Sequence, residues 1–176
     1  SFVGSTPVAK KIYEVSAKNG KRVQSLGGAK NHLVVMPDAN LNQAVDGIIG
    51  AAYGSAGERC MAVSVAVAVG NIADKLVEKI KIKAETLKVA PWTDENSEMG
   101  PVISGEHKKK IISYIESGIK QGAKLLLDGR NISIQGYENG FFVGPTLFDH
   151  VKSDMEIYTD EIFGPVLSVI RVSNFD

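Results

Sequence analysis

Leu33-Val34-Val35-Met36, then Pro37-Asp38-Ala39-Asn40, then the stripe Leu41, Ala44, Val45, Ile48, Ile49 and Ala52 follow one another without a break. The first is a continuous apolar run, as expected of a strand buried on both faces. The second turns the chain, and Asn40 with Gln43 resembles the reciprocal pair that caps a helix start. The third returns every three or four residues, the period of a helix that buries one side. Val63-Ser64-Val65-Ala66-Val67-Ala68-Val69 then alternates β-branched with small residues and reads as the next strand.

The same alternation continues outward in both directions. Toward the N-terminus, Phe2-Val3-Gly4-Ser5-Thr6-Pro7 reads as a strand end, a turn and a helix start. Ser5 or Thr6 can cap that helix, and Pro7 suits its first position. Val8, Ile12 and Val15 fall on one helical face, and Asn19-Gly20 stops the helix. Arg22 to Leu26 is a short strand candidate closed by Gly27-Gly28. Toward the C-terminus, Ala73, Leu76, Val77, Ile80, Ala84 and Leu87 mark a second amphipathic helix, followed by a polar loop from Trp92 to Pro101. Ser104 opens a third, with Ile111, Ile112, Ile115 and Ile119 inward and Gln121-Gly122 at its end. Lys124 to Leu127 is a strand. Phe141 to Val143 and Thr146 to Phe148 are extended pieces, a short helix is expected near Asp154 to Tyr158, and Val166 to Val172 is a last buried strand. Strands alternating with helices give an α/β class: an open, mostly parallel sheet flanked by helices. Ligands of such sheets gather beyond the carboxyl ends of the strands. The loop from Gly54 to Ala62 leads from a helix into a strand, so periodicity alone does not place it at that edge.

Composition narrows the function classes. The chain has 176 residues, 44% hydrophobic and 23% charged, enough for a domain with a real core. Twenty Lys and Arg balance twenty Asp and Glu, which gives no electrostatic case for nucleic acid or an anionic membrane surface. No apolar run is long enough to cross a bilayer. The single cysteine can form no internal disulfide, which fits a reducing compartment. The chain opens at Ser1 without Met, so it is expected to be part of something longer. Cys/His spacing for zinc, carboxylate patterns for calcium, a Walker loop and a Gly-x-Gly-x-x-Gly are all missing, so no metal site is expected.

Chemistry is most plausible at Gly54-Ser55-Ala56-Gly57-Glu58-Arg59-Cys60-Met61-Ala62. Two glycines let the loop turn sharply and approach a ligand. Arg59 beside Cys60 favours thiolate over thiol. The competing reading is a lone Cys as a small buried hydrophobe. Gly4-Ser5-Thr6 at a helix start can receive a phosphate or merely cap the helix. The histidines are scattered: His107, early in a helix, is expected at the surface, and His32, before a buried strand, is expected to pack or bond locally.

Five stretches in order resemble the aldehyde dehydrogenase superfamily: Phe2-Val3-Gly4-Ser5-Thr6, Leu26-Gly27-Gly28-Ala29-Lys30-Asn31, Gly57-Glu58-Arg59-Cys60-Met61-Ala62, Met99-Gly100-Pro101-Val102 and Glu161-Ile162-Phe163-Gly164-Pro165. Gly28 to His32, Met36 to Asn40, the Cys60 stretch and Tyr137-Glu138-Asn139-Gly140 resemble more narrowly the CoA-acylating methylmalonate-semialdehyde (malonate-semialdehyde) dehydrogenases. The resemblance implies that residues 1–28 end an NAD-binding domain and that residues 29–176 belong to a catalytic domain, incomplete at its C-terminus. It implies Cys60 as nucleophile and Arg59 as the ligand of a substrate carboxylate. It implies Gly4 and Ser5 at the NAD pyrophosphate, Glu161 at the nicotinamide ribose and Phe163 beside the nicotinamide. Hydrolytic members carry a glutamate base where this chain has Ser25 or Leu26, depending on the alignment. Neither can act as that base, which points to coenzyme A as co-substrate. The implied reaction is oxidation of a semialdehyde to an acyl-CoA with loss of carbon dioxide. The implied partners are the small-molecule substrate and further copies of the chain, as a dimer or tetramer. The implied compartment is the bacterial cytoplasm, or the mitochondrion in a eukaryote. The rival readings are a hydrolytic enzyme without CoA and a non-catalytic domain with Cys60 buried.

Overall fold

The structure is a computed structural model describing residues 1–176. It begins with β1 (Phe2–Val3), α1 (Thr6–Lys18) and β2 (Ser25–Leu26), and β1 and β2 form a parallel pair of their own. Then come β3 (Asn31–Val35), α2 (Leu41–Tyr53), β4 (Val63–Val69), α3 (Ala73–Glu85), α4 (Gly105–Lys120), β5 (Lys124–Leu127), β6 (Thr146–Asp149), α5 (Glu156–Thr159) and β7 (Val166–Val172). The main sheet has the order β3-β4-β7-β6-β5. Its pairs are parallel except β5 with β6. This is the expected α/β class.

The central strands are covered on both faces. Val65 and Ala66 are neighbours that point to opposite sides, and both are wholly buried. In β7 the same holds from Val166 to Val169. The helix starts follow local chemistry. The Asn40 side chain accepts from the N–H groups of Asn42 (3.1 Å) and Gln43 (3.2 Å). The Ser104 hydroxyl accepts from the His107 N–H at 3.1 Å. At α1 the cap differs from expectation. Ser5 occupies the cap position without a side-chain bond, while Thr6 Oγ1 accepts from the Gly28 N–H at 3.0 Å.

Three expectations fail for the same reason: periodicity does not show which neighbour covers a face. β3 is an edge strand, so Val34 is 47% exposed and the run is not buried on both faces. α1 packs mainly on the two-residue strands β1 and β2, which are too short to cover it, and Val8 and Val15 are exposed. Ile119, in the last turn of α4, is also exposed, whereas Ile111 and Ile115 are buried. No helix is long and apolar enough to cross a membrane.

Candidate active site

β3, β4 and β7 are parallel, so the segments that enter them meet at one edge of the sheet. Those segments are Gly28–Lys30, Gly54–Ala62 and Asp160–Pro165. The candidate site residues after residue 28, Arg59, Cys60, Glu161 and Phe163, all lie on them. The site therefore gathers at the amino ends of these strands, not at the carboxyl ends where α/β sheets usually collect ligands.

The turn before β4 is built from three consecutive left-handed residues: Ser55 (φ 51°), Ala56 (φ 53°) and Gly57 (φ 71°). The expectation that its two glycines supply the turn is half right, since Gly54 has φ −53°. Gly57 is also required by close approach. A Cβ there would lie 2.2 Å from the Gly164 carbonyl oxygen. The Cys60 turn thus rests directly on the segment that carries Glu161 and Phe163.

Cys60 is exposed at the end of this turn, where the rival reading expected it buried. Asn31 holds its backbone. The amide nitrogen of Asn31 donates to the carbonyls of Cys60 (2.8 Å) and Ala62 (2.9 Å). Arg59 Nε donates to Ser55 Oγ at 3.0 Å, and no carboxylate pairs with its guanidinium. The Nη groups of Arg59 stay available to an outside anion. Glu58 points the other way: its Oε1 accepts from the Ile103 N–H at 3.2 Å.

The facing segment is held from two sides. Lys30 Nζ donates to the Asp160 carbonyl at 2.6 Å. Burial pulls the Lys30 ammonium down to about 8, against the charges of Asp160 and Glu161, which raise it. Tyr114 Oη donates to Asp160 Oδ2 at 3.0 Å; burial and this bond push its phenol up to about 12. On the other side His107 Nε2 lies 2.6 Å from the Phe163 carbonyl oxygen. His107 is therefore not the surface residue expected; its side chain is only 16% exposed. His32 does bond locally, through Nδ1 to the Lys30 carbonyl (2.9 Å), and through Nε2 to Tyr158 Oη (3.1 Å).

Two cavities meet at Glu161. A crevice of about 10 Å³, no larger than a water, is lined by Arg59, Gly57, Phe163 and Glu161 among others. A wider cleft of about 570 Å³ is lined by Ser5, Thr6, Gly28, Lys30, Lys110, Tyr114 and Glu161. Arg59 and Phe163 thus share the crevice, Ser5 lies in the cleft, and Glu161 borders both. Gly4 and Cys60 line neither and stand beside them in the chain. The first turn of α1 has N–H groups that no side chain caps, and Lys30 and Lys110 line the cleft together with Asp160 and Glu161, so it offers donors and charges of both signs to a polar ligand. A Cβ at Gly28 would come within 2.9 Å of Glu161 Oε2, so the glycine keeps that carboxylate free of crowding. Ser25 takes no part here, because its hydroxyl donates to the Ala9 carbonyl at 2.7 Å. No group of three or more His, Cys, Asp or Glu is arranged to hold a metal ion.

The aldehyde dehydrogenase family model matches residues 1–176. The chain belongs to the aldehyde dehydrogenase family. Among its relatives, malonate-semialdehyde dehydrogenase of Pseudomonas aeruginosa is 54% identical over 177 residues, covering 100% of this chain and 36% of its own length. Malonate-semialdehyde dehydrogenase 3 of Geobacillus kaustophilus is 56% identical with the same coverage. The chain thus spans about a third of the length of these relatives. The methylmalonate-semialdehyde dehydrogenase structure from Oceanimonas doudoroffii superposes with TM-score 0.96 at 55% identity, over 99% of this chain and 36% of that one. Staphylococcus aureus betaine aldehyde dehydrogenase, solved with NAD+, superposes with TM-score 0.94 at 31% identity, over 98% of this chain and 34% of that one. Family membership accounts for the five ordered stretches. The tethering roles of Lys30, Asn31, Glu58 and His107 were not read from sequence. Lys30, Asn31 and Glu58 at least stand inside quoted stretches, but nothing local marks His107.

Proposed function

We propose that the full-length protein oxidises malonate or methylmalonate semialdehyde to acetyl-CoA or propionyl-CoA, with NAD and coenzyme A as co-substrates and loss of carbon dioxide. The observation that carries this is the exposed Cys60 beside an unpaired Arg59, packed against the segment bearing Glu161 and Phe163. Residues 1–28 are the end of the cofactor domain in this reading, and residues 29–176 are the thiol-bearing domain. Ser5 and Gly4 hold the NAD pyrophosphate at the start of α1, Glu161 binds the nicotinamide ribose, and Phe163 flanks the nicotinamide. NAD, when bound, supplies the acceptor for the hydride.

The chain's own residues do the rest. The Cys60 thiolate forms a bond to the aldehyde carbon, and the Cys60 N–H donates to the oxyanion that develops. Arg59 holds the substrate carboxylate through its planar fork. Oxidation of the adduct leaves a thioester on Cys60. The thiolate of coenzyme A then bonds to the acyl carbon, the Cys60 sulfur leaves, and the substrate carboxylate departs as carbon dioxide with a proton taking its place. Ser25, tied to Ala9, and the apolar Leu26 supply no base for water, which favours a thiol as acceptor over hydrolysis. Assembly as a homo-oligomer in the bacterial cytoplasm belongs to the same reading. The test is NADH formation from malonate semialdehyde by the full-length protein. A burst followed by a slow phase is expected without CoA, with CoA speeding the slow phase. Equal steady rates with and without CoA would refute the acylating reading, and turnover surviving Cys60→Ala would refute the nucleophile.

A further inference from the structure

One nitrogen in the first turn of α4 touches both halves of the site. His107 Nε2 lies 2.6 Å from the Phe163 carbonyl oxygen and 3.4 Å from Glu58 Oε1. A carbonyl only accepts, so Nε2 carries the hydrogen. The side chains of His107 and Glu58 are 16% and 15% exposed, so water competes little for these contacts. Phe163 has φ 57°. An aromatic residue keeps that left-handed conformation only where its surroundings enforce it. The His107 ring also stands edge-on to the Phe163 ring, with centroids 6.3 Å apart. α4 is in turn fixed to the Cys60 turn, because the Ile103 N–H donates to the same Glu58 oxygen at 3.2 Å, and Ser104 caps the His107 N–H.

We propose that His107 is a positioning residue: by holding the Phe163 carbonyl and the Glu58 carboxylate at one imidazole edge, it sets the spacing between the cofactor-binding segment and the Cys60 turn. Glu58 is two residues before Cys60, and Phe163 is two residues after Glu161. The inference rests on the reading that these two segments serve one reaction. A merely structural histidine would stabilise the protein without regard to what its nitrogen donates. A positioning histidine is replaceable by another N–H donor of similar reach.

The experiment compares His107→Leu with His107→Gln in the full-length protein. Leucine fills space without a donor; glutamine restores an N–H. His107→Leu should weaken NAD binding, read by fluorescence titration, by roughly tenfold, about the loss of one partly buried hydrogen bond. KM for NAD should rise more than kcat falls, and iodoacetamide should alkylate Cys60 roughly threefold faster as the turn loosens. His107→Gln should recover most of each change. The proposal is overturned if leucine leaves NAD affinity and alkylation within about twofold of wild type, or if glutamine does no better than leucine. Should the leucine variant fail to fold, imidazole ¹⁵N shifts of the wild type decide: hydrogen on Nε2 supports the contact, and hydrogen on Nδ1 alone overturns it. Absence of NADH formation by the wild type would refute the proposed reaction, while the alkylation rates and the tautomer would still judge His107.

Discussion

Gly57→Ala should separate the two halves of the site, and its cost can be worked from two terms. A residue with a Cβ at φ 71° costs about 1–2 kcal/mol relative to glycine. The added Cβ would also sit 2.2 Å from the Gly164 oxygen and 2.5 Å from its carbonyl carbon. Both are backbone atoms, and the Ala52 carbonyl oxygen at 3.1 Å blocks retreat on another side. The contact must open by roughly 1 Å, and overpacking of that kind costs about 1–3 kcal/mol. Together the two terms come to about 2–5 kcal/mol, a large part of the stability of an ordinary domain. If the turn survives by moving, Cys60 shifts relative to Glu161, and a displacement of about 1 Å can cut a rate on the order of a hundredfold. Gly164→Ala is the control for crowding. Its Cβ would meet Ile111 Cδ1 at 2.6 Å and Cγ1 at 2.7 Å, so it crowds a buried side chain where Gly57→Ala crowds backbone, and no positive φ is involved. Thermal unfolding and NADH formation of the full-length variants, assayed well below their melting temperatures, measure both effects. The reasoning fails if Gly57→Ala matches wild type in both measurements, or if Gly164→Ala proves equally damaging.

Asn31→Asp should be worse than Asn31→Ala. Alanine only removes donors to the Cys60 and Ala62 carbonyls, at about 1 kcal/mol, whereas aspartate turns carboxylate oxygens toward them; equal NADH rates for the two would contradict the clamp. Arg59→Lys keeps the charge and loses the fork, so kcat/KM should fall for malonate semialdehyde by about one to two powers of ten and much less for propionaldehyde. An unchanged ratio with Cys60 alkylation displaced to higher pH would mean that Arg59 tunes the thiol. Lys30 titrates near 8 when folded and at 10.5 when not, so the unfolded chain binds more protons between those values and stability rises with pH there. The stability difference between wild type and Lys30→Met should therefore move in favour of wild type from about pH 8 to 10.5; a flat difference would show that Lys30 is not held down by burial.

What the sequence reveals depends on how local the cause is. β4 and β7 end where the residue pattern ends, at Val63–Val69 and Val166–Val172, because β-branched alternation and flanking turns act on the nearest few residues. Strand order does not act locally. Nothing in Leu33-Val34-Val35-Met36 says that the strand lies at an edge, so the exposure of Val34 could not be read. The left-handed Ser55 and Ala56 carry no residue type that announces them. His107 looked like a surface residue because its partner, Phe163, is 56 positions away. The family was legible through its ordered motifs. The tethers that hold the site segments are contacts across the fold, and no local periodicity encodes those.

The placement of β7 sets the order in which the site comes into being. β7 lies between β4 and β6, and its pairing with β4 joins Val65 to Ser168. β3 and β4 lie close in sequence and can pair early, bringing Asn31 to the Cys60 backbone. Glu161 and Phe163 come into place only when the strand behind them docks into the middle of the sheet, a long-range pairing and a slow one. Until β7 docks, the thiol stands on a sheet whose β4 edge is open, and Glu161 and Phe163 are not yet beside it. Whatever delays the docking of β7 lengthens the time for which the exposed Cys60 stands on an incomplete sheet.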